Sequence, residues 1–257
     1  MELSERVMSW VGVVTLGGAV LVAAGCGGAT SRHGVAGATK TVRRCVPHAA
    51  PLGSSSVAWA AAAVRPLVAY RSPGGVPLRR FGLVNVNGVD TVFGALGERV
   101  GRSCAATWVH VQLPVRPNGA EGWVRARAVR LLPVHTRITV DLSQRRLRFY
   151  RGTRLVLSAP AAIGSSATPT PVGRYYVNQR LVPADAGGPY GPGAIGISAF
   201  SPVLTGWTQG GPIAIHGTNE PWSIGHAVSN GCIRIPNADV RRLFPQALAG
   251  TPVVISR

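Results

Sequence analysis

From Arg65 onward the chain is written in short apolar runs of period two, each cut off by Gly, Pro or Asn. That pattern restricts the body of the protein to strands. The clearest case begins at Thr136. Ile138, Val140 and Leu142 alternate with Thr139 and Asp141. After Ser143-Gln144-Arg145, Leu147 and Phe149 alternate with Arg146, Arg148 and Tyr150. A slip of one residue would turn every apolar side chain to the wrong face, so a hairpin with one apolar face is expected. Residues 155–163, 174–177, 213–216 and 253–255 are further strand candidates. The one helix signal is late: Asn237 as N-cap, Asp239 in the first turn, and Val240, Leu243 and Phe244 on one face. With 33 Gly, 20 Pro and 6% aromatics, composition agrees with a turn-rich, mainly β protein.

Residues 65–133 carry their own strand set. Leu67-Val68-Ala69-Tyr70 precedes Ser72-Pro73-Gly74-Gly75, and Leu83-Val84-Asn85-Val86 precedes Asn87-Gly88, a strong hairpin signal. Thr107 to Val111 alternates, and Gly122-Trp123-Val124 leads into Val129-Arg130-Leu131-Leu132. Several short strands split by turn residues predict a small β-barrel. The ending "WVHVQLP…NGAEGWVRARAVRLL" resembles a bacterial SH3-like domain. The implied role is wall-peptide binding, or a plain spacer.

Ahead of this lies a different composition. Arg6 is followed by an apolar run over 7–24 that ends in Ala23-Ala24-Gly25-Cys26. A small-small-Cys end resembles the lipobox of bacterial lipoproteins, which implies that residues 1–26 are a signal segment and Cys26 the lipidation site. A plain secretory signal and an uncleaved anchor are the other readings, and all three put the body outside the cytoplasm. Residues 27–64 are rich in Ala, Gly and Ser and are expected to be a flexible linker.

The chain has four cysteines, Cys26, Cys45, Cys104 and Cys232. If Cys26 carries lipid and Cys232 is a working thiol, Cys45 and Cys104 remain, and an oxidising exterior lets them pair or stay as two free thiols. The net charge is +18, almost all from Arg, because Lys40 is the sole lysine. That suits an anionic wall or membrane surface. No zinc-finger spacing and no basic helix with interleaved aromatics is present, so nucleic acid is not an expected partner.

The chemistry is concentrated in "IAIHGTNEPWSIGHAVSNGCIRIPNADV". His216 ends a short apolar strand, Gly217 follows it, and Cys232 comes sixteen residues after His216 in Ser229-Asn230-Gly231-Cys232-Ile233-Arg234. An acyl-transferring Cys needs a base, close access for a carbonyl and donors for the oxyanion. His216, Gly231 and the amides at Gly231 and Cys232 can supply these. A lone Cys and a lone His are equally compatible with an inert buried thiol and a core histidine. No HxxxH or CxxC metal pattern and no phosphate-cradling Gly-rich loop followed by Lys appears, so metal and phosphate-loop chemistries are not expected. The acids of this half, Asp141, Asp185, Glu220 and Asp239, are not paired in sequence as a glycosidase would require of its fold.

The stretch resembles the signature of the L,D-transpeptidases, whose catalytic domain is of the YkuD type: His-Gly, a spacer, then Ser/Thr-His-Gly-Cys-Ile/Val-Arg. His216, Gly217, Ser229, Gly231, Cys232, Ile233 and Arg234 match it. "ITVDLSQRRLRFYRGTRLVLSAPAAIGS", "TPTPVGRYYV" and "YGPGAIGIS" resemble the family's opening strands, its Thr-Pro-x-Gly turn and the segment before the His strand. The likeness spans 136–256. It implies a β-rich catalytic domain with little helix and no cofactor. It implies Cys232 as nucleophile, His216 as base oriented by the Gly217 carbonyl, and an oxyanion hole from the Gly231 and Cys232 amides. Ser229 and Arg234 would shape the pocket. Arg234 is open between a clamp on a substrate carboxylate and a structural ion pair.

Asn230 stands where the family usually has His; it can donate hydrogen bonds but cannot act as a base. That makes His216 the base, with His226 a rival, and Trp222 either a lid or ordinary packing. The implied reaction is 3→3 cross-linking of peptidoglycan stem peptides through a Cys232 thioester, with acylation by carbapenem-type inhibitors. The alternatives are an L,D-carboxypeptidase, an acyltransferase anchoring protein to peptidoglycan, and a non-catalytic wall-binding lipoprotein, for which Asn230 is the one sequence hint.

Overall fold

The computed structural model describes residues 44–257. The signal segment 1–26 with Cys26, and residues 27–43 of the expected linker, lie outside the described residues. Two β units make up the rest, each with its own core.

The first comprises β1 (His48–Pro51), β2 (Ala58–Ala63), β3 (Leu67–Tyr70), β4 (Pro77–Phe81), β5 (Val92–Val100), β6 (Ala106–Gln112), β7 (Glu121–Arg125) and β8 (Val129–Val134). They form an eight-stranded sheet in the order β4-β3-β7-β6-β5-β2-β8, with β1 added on β5. Phe93, Val109, Val111, Leu113 and Val124 are almost fully buried inside it. The pairings run as a path with β4 and β8 at its ends, so the closure expected of an SH3-like barrel is not among them.

The linker expectation is corrected at its C-terminal end. β1 and β2 lie within 27–64 and belong to this sheet. Apart from Trp59, Ala58–Ala63 is all alanine and carries no period-two apolar signal to announce a strand. Yet Ala60 and Ala61 are buried because small residues let the backbone pair closely with β5 and β8. A disulfide joins Cys45 to Cys104 and ties the start of β1 to the turn between β5 and β6.

The second unit comprises β9 (Thr136–Asp141), β10 (Arg146–Arg151), β11 (Arg154–Pro160), β12 (Ile163–Gly164), β13 (Gly173–Leu181), β14 (Ala194–Phe200), β15 (Pro212–His216), β16 (Ala227–Ser229), β17 (Ile233–Arg234), α1 (Asn237–Leu243) and β18 (Pro252–Ser256). The large sheet has the order β11-β10-β9-β18-β13-β14-β15-β17, and β12 pairs with β16 apart from it. The predicted hairpin is β9–β10. Its register sets Val140 opposite Leu147 and Ile138 opposite Phe149, all four fully buried. Its turn is held by Asp141, whose Oδ1 accepts hydrogen bonds from Ser143 Oγ (2.7 Å) and Gln144 N (2.8 Å).

α1 buries Val240 and Leu243. Its cap is Pro236, and Asn237 caps nothing. The Asn237 side chain is instead spent on Thr218, accepting from its N–H (2.8 Å) and donating to its carbonyl (3.0 Å). That bond fixes the chain just after His216.

The two units meet through side chains that satisfy backbone groups. Gln112 Nε2 donates to Arg174 O (2.7 Å), and Asn118 exchanges two 2.8 Å bonds with the Phe200 backbone. Tyr176 lies against Gly94, where a β-carbon would crowd its ring.

Candidate active site

β15 positions the site. Ile213 and Ile215 point into the core, so Pro212, Ala214 and His216 share the opposite face. β17 runs parallel beside it, with Ile215 opposite Ile233 and His216 opposite Arg234. Cys232, the residue before β17, therefore falls beside Ala214. The Ala214 N–H donates to Cys232 Sγ at 3.4 Å. Sixteen residues after His216, Cys232 is thus folded back to lie two residues before Arg234, the residue opposite His216.

His216 is 5% exposed, and its Nδ1 lies 2.5 Å from the Gly217 carbonyl oxygen. A carbonyl can only accept, so Nδ1 carries the proton and Nε2 holds a free lone pair. Tyr190 packs edge-on against the imidazole with ring centres 5.0 Å apart, and its carbonyl accepts from Gly217 N (3.0 Å). Gly217 is obligatory by packing: a β-carbon there would collide with Asn237 Oδ1 and the Pro192 ring.

Burial lowers the His216 pKa to about 4; the Gly217 carbonyl raises it and the Arg234 charge lowers it, each less strongly. Burial also raises the Cys232 thiol, opposed by the Ala214 N–H and by Arg234. At neutral pH the resting site is a thiol beside a neutral imidazole, not a preformed ion pair. Proton transfer must then accompany attack.

The loop carrying Cys232 is held from two sides. Ser229 Oγ donates to Cys232 O (2.6 Å) and accepts from Gly231 N (3.1 Å). Thr170 Oγ1 donates to Gly231 O (2.9 Å) and accepts from Gly164 N (2.8 Å), while Thr168 Oγ1 donates to Ser229 O (2.9 Å). Gly231 adopts φ +108°, a conformation that favours glycine. Its amide is engaged by Ser229 in the resting site. The two amides expected to hold the oxyanion therefore start out unequal: the Gly231 amide would first have to leave Ser229.

Arg234 resolves toward the ion pair. Its Nη1 contacts Glu220 Oε2 at 2.5 Å, and its Nε is buried without a partner. Asn230 is exposed, as is His226, whose backbone bridges Ser223 and Ile163. Trp222 is 64% exposed in a short turn, which removes the ordinary-packing reading. The sequence reading missed Thr168, Thr170, Tyr190, Glu220 and Asn237. The signal was present for Thr168 and Thr170, the polar members of "TPTPVG", but their partners lie 61 residues away in the chain.

The chain is similar in sequence to known proteins. The family described as the YkuD L,D-transpeptidase catalytic domain matches residues 135–255. A relative named as the L,D-transpeptidase YkuD of Bacillus licheniformis is 42% identical over 120 residues, covering 47% of this chain and 65% of that protein. The like-named protein of Bacillus subtilis strain 168 is 37% identical over 126 residues, covering 49% and 68%. The chain thus spans about two thirds of the length of these relatives. A crystal structure of a mutant Enterococcus faecium L,D-transpeptidase is 27% identical over 47% of this chain and 49% of that one, at a TM-score of 0.36. On the sequence matches, the family model running through both the His216 strand and the Cys232 loop, the chain belongs to the L,D-transpeptidase family with a YkuD-type catalytic domain.

Proposed function

We propose that the protein is a peptidoglycan L,D-transpeptidase that forms 3→3 cross-links in cell-wall biogenesis through a thioester on Cys232. The observation that carries this is the fixed tautomer of His216: Nδ1–H is held by Gly217, which leaves Nε2 as the base on the strand beside the thiol. In the acylation step Nε2 takes the Cys232 proton as sulfur attacks the carbonyl after the third stem residue. The C–N bond breaks, and the terminal D-alanine leaves with that proton. In the second step an acceptor amine attacks the thioester and gives a proton to Nε2, and the released sulfur regains it. The Cys232 amide would hold the oxyanion. Ser229 and Thr170 would keep sulfur in line by fixing the loop on both sides of Gly231.

The N-terminal segment supports a body tethered to the outer face of the membrane, through lipid on Cys26 or through an uncleaved anchor. The cationic composition supports retention near an anionic wall.

The test is incubation with disaccharide-tetrapeptide and identification of products by mass. Cross-linked dimer with loss of D-alanine is expected. Loss of D-alanine with no dimer would make the protein a carboxypeptidase; transfer to a protein amine would make it an anchoring enzyme. A carbapenem adduct is expected to form on the wild type and on Cys104→Ala and to vanish in Cys232→Ala. Its absence throughout would favour a non-catalytic wall-binding role.

A further inference from the structure

The outer face of the first sheet carries a basic surface that the chemistry above does not use. Arg99, Trp108 and Arg125 pair across β5, β6 and β7 in one row and so share a face. Two residues before Arg125, Trp123 pairs with Tyr70, whose ring meets Trp108 edge-on at 5.4 Å. On the next strand Arg80 lies opposite Val68, on the face of Tyr70.

A pocket of about 270 Å³ on this face is lined by Arg65, Arg80, Arg125 and Arg127, together with Tyr70 and Phe81, and by no acid. All four arginines are exposed. None of their guanidinium groups has a carboxylate or hydrogen-bond partner among the described residues. Arg125 is held by the Trp108 ring instead, its guanidinium carbon 4.1 Å from the ring centre. That contact places the charge and leaves the N–H donors uncommitted. The acid of β7, Glu121, is 3.1 Å from His110 and does not reach the pocket lining. Cations gathered without an acid repel one another, and an anion between them removes that cost. A guanidinium is weakly hydrated and matches phosphate oxygens in pairs, which makes phosphate the fitting anion.

The entry point of the chain indicates which phosphate. Cys45 N donates to Arg102 O at 3.0 Å, and His48 pairs with Val100, so Arg44 enters beside the β5–β6 turn. Trp108 follows Cys104 of that turn by four residues. The row of Arg99, Trp108 and Arg125 therefore lies at the end of the sheet where the chain arrives, and Arg44 and Arg102 are exposed there as well. Residues 27–43, seventeen in number, separate Arg44 from Cys26. Fully extended they reach at most about 60 Å.

We propose that this end of the first sheet docks on the phosphate headgroups of an anionic phospholipid bilayer, with one headgroup seated in the arginine-lined pocket. Lipid on Cys26 would tether the body by this same end, and the arginines would add a second, headgroup-dependent contact to the first. This rests on the membrane-tether reading above and not on the transpeptidase chemistry.

The test is sedimentation of the full chain with vesicles of phosphatidylcholine alone and of phosphatidylcholine mixed with phosphatidylglycerol. One cation near an anionic surface is worth about fivefold in partitioning, so Arg80→Gln, Arg125→Gln and Arg127→Gln together should weaken binding to the anionic vesicles on the order of 100-fold. Binding to neutral vesicles should not change, and high salt should remove the anionic preference of the wild type. Arg154→Gln, Arg241→Gln and Arg257→Gln together take the same charge from the second unit and should keep the preference. An unchanged urea midpoint shows that both triple variants remain folded. Equal binding of the wild type to the two kinds of vesicle, or an equal loss in both variants, overturns the docking surface. Tighter binding to soluble poly(glycerol phosphate) than to anionic vesicles also overturns it and gives the pocket to a soluble phosphate polymer. An anionic preference lost in the first variant, with no binding of any form to neutral vesicles, would keep the docking surface and remove the tether.

Discussion

Between pH 6.5 and about 4, acidification should destabilise this protein through His216. Its imidazole is buried, and burial holds its pKa down to about 4 against an ordinary 6.5. In the unfolded chain the ring takes up a proton as the pH falls through 6.5, whereas in the folded protein it stays neutral until about pH 4. Across that window the unfolded state binds the extra proton, so stability falls as pH falls. A displacement of this size, at 1.36 kcal/mol per pH unit, amounts to about 3 kcal/mol lost between pH 6.5 and pH 4. That is a large share of the roughly 5–15 kcal/mol that holds a typical domain folded. The assay is urea unfolding at half-unit pH steps for the wild type and for His216→Gln, whose side chain does not titrate. The variant should show a shallower decline above pH 4, while carboxylates such as Asp141, whose pKa is lowered by the Gln144 N–H and the Ser143 hydroxyl, act below pH 4 in both. Parallel declines would refute the claim that burial keeps the imidazole neutral. The reading of the resting site as a neutral thiol–imidazole pair would fall with it.

Two other outcomes follow from contacts already described. Thr170→Val removes the hydroxyl that joins Gly231 O and Gly164 N; it should cost about 1–3 kcal/mol of stability and lower kcat with little change in KM, read by chemical unfolding and by carbapenem acylation kinetics. The Cys45→Ser, Cys104→Ser double variant opens a loop of sequence separation 59. It should lose up to about 4 kcal/mol in urea unfolding without slowing the acylation of Cys232, and a slowed acylation would mean that the small sheet tunes the site.

What the sequence determined by itself is what local periodicity and residue chemistry encode. Period-two alternation over 138–149 specified the hairpin and its inward face, because register and burial are locked together by the pleat. The residue types in His216-Gly217 and in Ser229 to Arg234 pointed, through family likeness, to Cys232 as candidate nucleophile and His216 as its candidate base. Apart from Trp59, β2 is all alanine, and it was illegible because alanines carry no periodic signal, so the linker was drawn too long. Only the tertiary structure decided the rest, because those properties depend on distance between segments remote in the chain. Arg234 could be given to substrate or to Glu220 until the loop after β15 brought that carboxylate to it. The Gly231 amide looked free until Ser229 folded under it. Cys45 and Cys104 could pair or stay apart until β1 lay along β5.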